Sequence, residues 1–410
     1  MIKLNKPKIV VLGSGYGGII TTKKLEKLLK SGEADVTLIN KHSYHYITTQ
    51  LHKTSAGTAQ DNKIALPIEE LINNEKINFK KATVSSLNFD EKQVLLENGE
   101  TVEYDYLLVA LGFQVETFGI PGIEDHAFKI RSFRSSKAIY HHIENQFSKY
   151  QEDPDPARLT FAVAGAGFTG VEVVGELVEN LKKLAKKHDV PYEKVQIINI
   201  EASPNLLPGF SPDAVKYTTE LFKTMGVKVM TSTKILECTE DYVKVDSGEI
   251  ATKTLIWSCG VRGHQLFEEA GLETVRGKMK VDKYLRIPNL EDVYCIGDNA
   301  HFMVDEKTAL PPTAQVAMQQ GPVCAENIVA TIRGTDLKEF EYHHKGSVAS
   351  ISDYYAVGKV GNFVIKGKFA ALMKQVVEAK YLFALGGPRL VFKQSLGLNP
   401  LGFVKRTVKQ

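Results

Sequence analysis

Two glycine-spaced turns, Gly13-Ser14-Gly15-Tyr16-Gly17-Gly18 and Gly165-Ala166-Gly167-Phe168-Thr169-Gly170, are the first places in this sequence where residue type and spacing imply chemistry. Both fit GxGxxG, with glycines 13, 15 and 18 in one and 165, 167 and 170 in the other. In that spacing the first glycine permits a tight turn, and the second lets backbone N–H groups approach a pyrophosphate. The third lets a helix pack closely on its strand, with the helix N-terminus facing the negative charge. The surroundings agree. Runs rich in β-branched residues at 8–12 and 159–164 read as buried parallel strands leading into the turns; helices over 19–30 and 171–187 follow, then second strands at 35–40 and 195–200. Strand, glycines, helix and strand in that order are far more specific than the glycines alone.

The residue closing each second strand is the one that meets a ribose. In the first case it is Asn40, followed by Lys41. An amide accepts one hydrogen bond and donates another, so the contact survives with less charge. In the second case it is Glu201, whose carboxylate suits a free 2′-OH and repels a 2′-phosphate, so NADH rather than NADPH is expected there. The interval from Gly170 to Glu201 exceeds the usual ~20 residues; a long helix and the loop at His188-Asp189-Val190-Pro191 absorb the excess. Two dinucleotide folds in one chain imply a hydride passing from a nicotinamide to a second redox ring, most economically that of FAD.

The rest of the composition sets bounds on these elements. The chain has 410 residues, 43% hydrophobic and 24% charged, which is ordinary for a globular protein of two to three domains. With 51 Lys and Arg against 48 Asp and Glu, the net charge of +3 argues against a nucleic-acid binder. Cys238, Cys259, Cys295 and Cys324 show neither CxxC nor any metal-ligand spacing, so they are expected to be reduced thiols, and no histidine is assigned to a metal. No signal peptide is visible, and nowhere do 18 uncharged apolar residues run together, so the chain is expected to be soluble or to lie on a membrane without crossing it.

Further motifs give the sequence a family likeness. The run 104–112, ending Ala110-Leu111-Gly112, resembles the strand-plus-glycine crossover of flavoprotein disulfide-reductase-like folds, and 254–260, ending Cys259-Gly260, repeats it at the return crossover. Val293-Tyr294-Cys295-Ile296-Gly297-Asp298 resembles the second FAD motif of those folds, whose Asp meets the ribityl chain. No redox cysteine stands in the stretch 41–52, which argues against thiol chemistry. His45-Tyr46, Leu51-His52, Ser55-Ala56-Gly57-Thr58, the run 167–172 and the run 313–321 resemble bacterial type II NADH dehydrogenases, which are non-proton-pumping NADH:quinone oxidoreductases. The resemblance implies an α/β architecture of two Rossmann-like dinucleotide-binding domains plus a C-terminal amphipathic membrane-anchoring region. The expected bounds are 1–115 with 287–335 for FAD, 116–286 for NADH, and 336–410 for membrane association and dimerisation.

The implied flavin-binding positions are Gly13, Ser14, Gly15, Tyr16, Gly17, Gly18, Asn40, Lys41, Val84, Ala110, Gly112, Asp298, Ala314, Gln315 and Lys380. For NADH they are Gly165, Gly167, Phe168, Thr169, Gly170, Glu201 and Gly260. The pattern Ala314, Gln315, Ala317 and Gln319 resembles a quinone-site signature; the two glutamines are four apart on one helix face and would offer amides to a quinone carbonyl. Glu172, early in the second cradle's helix, is implied at the nicotinamide and quinone region, either positioning the nicotinamide or relaying a proton. Glu172, Gln315 and Gln319 are therefore the expected catalytic residues.

The C-terminal segment suggests how a bilayer quinone, menaquinone or ubiquinone, would be reached. Leu372, Met373, Val376, Ala379, Leu382 and Phe383 form a helical apolar stripe broken at Gly386-Gly387-Pro388, and apolar residues resume at Leu390 and run through 396–404. Residues 366–410 hold nine basic residues and one acid, so the chain is an acidic body with a basic, apolar tail. Such a tail favours anionic lipid. A peripheral homodimer on the cytoplasmic face of the cell membrane follows. The competing readings are a soluble flavoprotein reductase of a protein or sulfide:quinone-type substrate, and a flavoprotein that senses NAD(H) without turnover.

Overall fold

The computed structural model describes residues 6–361 and 363–395. Their contacts divide the chain into two compact units. One comprises Met1–Ile47, Ala65–Gln114 and Val261–His343, the other Thr48–Ile64, Val115–Gly260 and His344–Gln410.

The first unit is built on a six-stranded sheet. Its strands run, edge to edge, Arg286–Ile287, Leu290–Cys295, Tyr106–Val109, Lys8–Leu12, Asp35–Asn40 and Ile77–Lys81. All neighbours are parallel except the outermost pair at Arg286–Ile287. Ile9 through Leu12 are buried without alternation, as strands covered on both faces must be. On one face the helix Tyr16–Leu28 packs against the helix Ala314–Arg333, closely enough that Thr21 Oγ1 donates to the Gly321 carbonyl at 3.2 Å. On the same sheet Val10, Leu12, Leu107 and Val109 share a core with Leu266, Phe267 and Met279. That shared core is why residues 261–286, expected with the NADH domain, pack with the first unit.

The second unit repeats the plan in five parallel strands ordered Phe128–Lys129, Thr254–Trp257, Thr160–Ala164, Gln196–Ile200 and Lys228–Met230. The helix Phe168–Lys187 follows its central strand. Against this helix lies a segment from much later in the chain: a Cβ on Gly175 would come within 1.6 Å of the Ile351 carbonyl oxygen, so only glycine permits the approach. Residue 351 leads out of an antiparallel three-stranded sheet, Ser347–Ser350, Ala356–Val360 and Phe363–Lys366, that feeds the C-terminal helix Gly367–Ser395. This helix is two helices joined at a kink, with Gly386 at φ −143° and Gly387 at φ 65°, the break expected at Gly-Gly-Pro. The expected apolar continuation over 396–404 and the tail lie outside the described residues.

In both units the helix starts earlier than the spacing predicts, at Tyr16 and Phe168, with Gly15 and Gly167 as N-caps. The last glycines of each motif are therefore the first turn of the helix, which brings its unpaired N–H groups up to the turn itself.

Candidate active site

The first cradle is a set of contacts that no side chain could share. Gly13 has φ +93°, and a Cβ there would meet the Ala110 carbonyl oxygen at 2.4 Å; a Cβ on Gly18 would meet the Gly13 carbonyl oxygen at 1.9 Å. Gly15, between them, has open space at its Cβ position. Asn40 Oδ1 accepts the Ser14 N–H at 3.0 Å while its Nδ2 donates to the His42 carbonyl at 2.7 Å. Buried His45, whose ring stands edge-on to Tyr16, donates from Nδ1 to the Ser14 carbonyl at 2.7 Å. Burial drives its pKa down to about 4, so it serves as a neutral clasp on the turn. Sequence reasoning placed Asn40 on a ribose and gave His45 no role of its own; both hold the loop.

The second cradle repeats this in the other unit. Gly165 has φ +90°, a Cβ on Gly170 would stand 1.9 Å from the Gly165 carbonyl oxygen, and Gly167 has nothing within 4 Å. Glu201 Oε2 accepts the Ala166 N–H at 2.6 Å and Oε1 the Ser203 N–H at 2.7 Å. Ala166 N–H is the counterpart of Ser14 N–H, so the acid and the amide do the same local work. A carboxylate has about four acceptor positions, so Glu201 keeps capacity for a ribose. Asn199 lies, fully buried, in the second strand expected at 195–200; its Nδ2 donates to the Val163 and Gly165 carbonyls and fixes the entry to the turn. Phe168 is partly exposed and edge-on to Phe210, and Thr169 is exposed at the turn. Gly260 takes φ +64°, and a Cβ there would also strike Phe118 and Glu116.

Glu172 lies one turn into the second cradle's helix and is the centre of a buried charge cluster in the second unit. It pairs with Lys374 of the C-terminal helix through Oε1, which also accepts the Ser350 N–H at 3.1 Å. His52 Nδ1 is 3.3 Å from Oε2. Burial opposes the charge on Glu172, but the Lys374 ammonium, His52 and the Ser350 N–H outweigh it and hold the carboxyl below its ordinary range. His52 goes the other way: burial lowers it to about 3, so it is a neutral imidazole against the carboxylate rather than half of an ion pair. One helical turn on, Glu176 is buried with Thr58 on one oxygen, and burial raises its carboxyl. Lys53 and Glu378 complete the group. Of these, Glu172 was singled out from sequence; Lys374 and Glu176 were not, since their partners lie 202 and 118 residues away.

The remaining expected residues belong to the first unit, apart from Lys380. Gln315 and Gln319 share a face of the helix Ala314–Arg333, whose first residue is Ala314. Gln315 Oε1 accepts from Tyr342 Oη at 3.1 Å, while Gln319 exchanges two hydrogen bonds with the His343 backbone. Their amides thus anchor the segment 342–343. Gln320, passed over in the motif, accepts the Gly297 N–H at 2.7 Å and ties this helix to the turn carrying Asp298. Burial lifts the Asp298 carboxyl to about 6, against the pull of Lys278. Gly112 takes φ +73°, with its carbonyl held by Asn299. Gly17 faces Ile296, and Ala110 is buried beside Gly18. Val84 packs on the sheet core, Lys41 is exposed beyond Asn40, and Lys380 is exposed on the C-terminal helix.

All four cysteines are free. Cys295 and Cys324 are fully buried, which raises both thiols far above their ordinary value; Cys259 is pushed up to about 12 by burial and the nearby Glu201 charge. None is poised as a thiolate.

Comparison with known proteins agrees with this geometry. The profile of the pyridine nucleotide-disulphide oxidoreductase family matches residues 7–321. Proteins named Type II NADH:quinone oxidoreductase from Staphylococcus aureus, in strains MSSA476 and NCTC 8325 among others, are 39% identical over 397 residues, spanning 95% of this chain and 98% of theirs. The chain belongs to the pyridine nucleotide-disulphide oxidoreductase family and, within it, to the type II NADH:quinone oxidoreductases. Among solved structures, NDH2 from Plasmodium falciparum in complex with NADH has the same fold at a TM-score of 0.85 and 21% identity, covering 97% of this chain and 99% of that one. The sulfide:quinone oxidoreductase of Aquifex aeolicus follows at 0.75 and 20%, over 93% and 91%. The FAD and NADH that the family implies fit the residues present. Each cradle has one glycine, Gly15 or Gly167, whose missing side chain leaves room for a pyrophosphate, and each has its turn held from behind by Asn40 or Glu201.

Proposed function

We propose that this chain is an NADH:quinone oxidoreductase that takes two electrons from NADH and delivers them to a membrane quinone. The observation that carries the reading is the pair of complete glycine cradles, one per unit, each with an open Cβ position at its central glycine. Bound at the first, FAD supplies a two-electron acceptor and donor. The flavin half is built on 1–115 and 287–335 with 261–286 packed into it, the NADH half on 116–260, and 336–410 is the membrane-facing part. The N–H groups at the start of Tyr16–Leu28 and Phe168–Lys187 meet the two pyrophosphates. Glu201 takes the free ribose hydroxyls of NADH and repels a 2′-phosphate. The pair of ionised Glu172 and Lys374 holds, on the Lys374 ammonium, the labile proton that quinone reduction consumes, and Gln315 and Gln319 line the quinone's approach.

The chain works at an anionic membrane surface, on the cytoplasmic face and as a homodimer. Phe363, Phe369, Leu372, Val376, Phe383 and Phe392 are all exposed, Phe363 to 79%, and Lys366, Lys368, Lys380 and Arg389 are exposed among them. An apolar belt with interspersed cations suits the headgroup boundary of anionic lipid. No helix among the described residues is long and apolar enough to cross a membrane.

The test is NADH oxidation by the purified yellow protein with menadione or a ubiquinone analogue as acceptor, with and without anionic liposomes. Turnover that rises with liposomes is the expected result. Failure to reduce any quinone would remove the reading and leave a reductase of a protein acceptor or a non-catalytic NAD(H) sensor.

A further inference from the structure

Glu176 is buried, with 1% of its surface exposed, and its Oε1 has no hydrogen-bond partner among the described residues. Its Oε2 is in hydrogen-bond contact with Thr58 Oγ1, which also lies 3.3 Å from the Lys53 carbonyl oxygen. The Lys53 carbonyl can only accept, and a hydroxyl has a single proton to give. The Lys53 carbonyl already accepts the Thr58 N–H at 2.9 Å, so the hydroxyl is free to serve either oxygen; a proton on Glu176 lets it donate to Thr58 and leaves no charge on the buried, partnerless Oε1. The charge of the surroundings agrees. From the second cradle's helix come Glu172 and Glu176, from the C-terminal helix Lys374 and Glu378, from the helix Leu51–Ala56 Lys53 and the neutral His52, and from the loop at 353 the exposed Asp353, 3.0 Å from Lys53. Glu172, Glu176 and Glu378 outnumber the ammonium groups of Lys374 and Lys53 by one, and exposed Asp353 also draws on Lys53, so a proton relieves the excess negative charge; Glu176 is the most deeply buried of the three.

We propose that Glu176 is a neutral carboxylic acid that stores the proton for quinone reduction, one helical turn behind Glu172. The burial-raised carboxyl of Glu176 and the depressed carboxyl of Glu172 fit this division. The proposal rests on the quinone-reductase reading above. A hydride carries two electrons and one proton, whereas a quinol needs two electrons and two protons. The second proton leaves the Lys374–Glu172 pair, the Glu176 O–H proton restores that pair, and Glu176 becomes a carboxylate. Solvent then reprotonates it from the Lys53–Asp353 side, where Asp353 is exposed. Glu176 acts through Glu172 and is a positioning and proton-holding residue rather than a catalytic one.

The test uses the full-length holoenzyme. Infrared spectroscopy at neutral pH is expected to show the C=O stretch of a buried neutral carboxylic acid that shifts in D₂O, to lose it in Glu176→Gln, and to shift it in Thr58→Val, where the acceptor of the acid proton is gone. Because Gln mimics a neutral acid, E176Q is expected to keep the wild-type melting temperature. In the menadione assay the alkaline limb of kcat is expected to move to lower pH in E176Q, with kcat at its alkaline end about tenfold below wild type. Absence of the band in wild type, or its persistence in E176Q, overturns the stored proton. A lost band with an unmoved pH profile overturns its use in turnover. A band lost as expected in a protein that reduces no quinone supports the stored proton and overturns the functional reading instead.

Discussion

Gly15 and Gly18 lie three positions apart in one motif, yet they separate binding from folding. A Cβ at Gly18 has no room against the Gly13 carbonyl, so Gly18→Ala must move backbone and is expected to lower the melting temperature by several degrees. Gly15→Ala meets nothing among the described residues, so it is expected to fold with a near-native melt and to purify with little flavin, since the new methyl fills the space left for phosphate. Thermal melts beside flavin absorbance check both; a fully yellow Gly15→Ala would contradict the cradle. Glu201→Ala removes the anchor of two backbone N–H groups as well as the ribose contact, so KM for NADH is expected to rise and NADPH rejection to relax. An unaltered cofactor preference sinks that role. Glu172→Gln leaves Lys374 buried against a neutral amide. Breaking such a pair costs about 3–5 kcal/mol, and a lower melting temperature together with slowed quinone reduction is expected; unchanged quinone kinetics would take Glu172 out of the mechanism.

At the scale of elements, the C-terminal helix has two sides with different surroundings. Ala370, Ala371, Tyr381, Leu385 and Leu390 are buried and Gln394 donates to the Asn62 carbonyl at 3.0 Å, so the helix is docked along its length. Phe369, Leu372 and Val376 face away from that docking. Replacing these three by Ser is expected to leave the melting temperature near wild type and to weaken binding to anionic vesicles by at least about tenfold, given ~0.8 kcal/mol per buried CH₂. Co-sedimentation with anionic and neutral vesicles, at low and high salt, measures it. Equal binding of the variant and wild type would assign the apolar belt to some other surface.

For the whole molecule, pH is the variable that reaches both units. His45 in the first unit and His52 in the second are lowered by burial from 6.5 to about 4 and about 3. Folded, they stay neutral, while the unfolded chain takes up protons below its ordinary histidine pKa. Their stabilisation is therefore complete above about pH 6.5 and declines as pH falls toward 4 and then 3. Glu172, held low, adds a loss of the same sign as pH falls below the ordinary carboxylate range. Thermal melts from pH 8 to pH 5 are expected to show a falling midpoint on the acid side, with a shallower slope in His45→Gln and His52→Gln; an unchanged slope in both would place the protons elsewhere.

What the sequence determined by itself was local. The glycine spacings, the strands before them and the closing residues Asn40 and Glu201 were all readable, because each cradle is made within about forty residues and its steric demands recur at fixed offsets. The break at Gly386-Gly387-Pro388 was readable for the same reason. Contacts between segments far apart in the chain were left to the tertiary structure. Glu172 was visible as an early helical acid, but its state is set by His52, Ser350 and Lys374, brought to it from three other segments. Gln319 offered an amide in the sequence and is occupied by His343 in the fold. Residues 261–286 looked like the end of one domain and contribute Leu266, Phe267 and Met279 to the core of the other unit. Spacing encodes which backbone can approach which. Burial, and the charges that burial brings together, exist only once the chain has closed on itself.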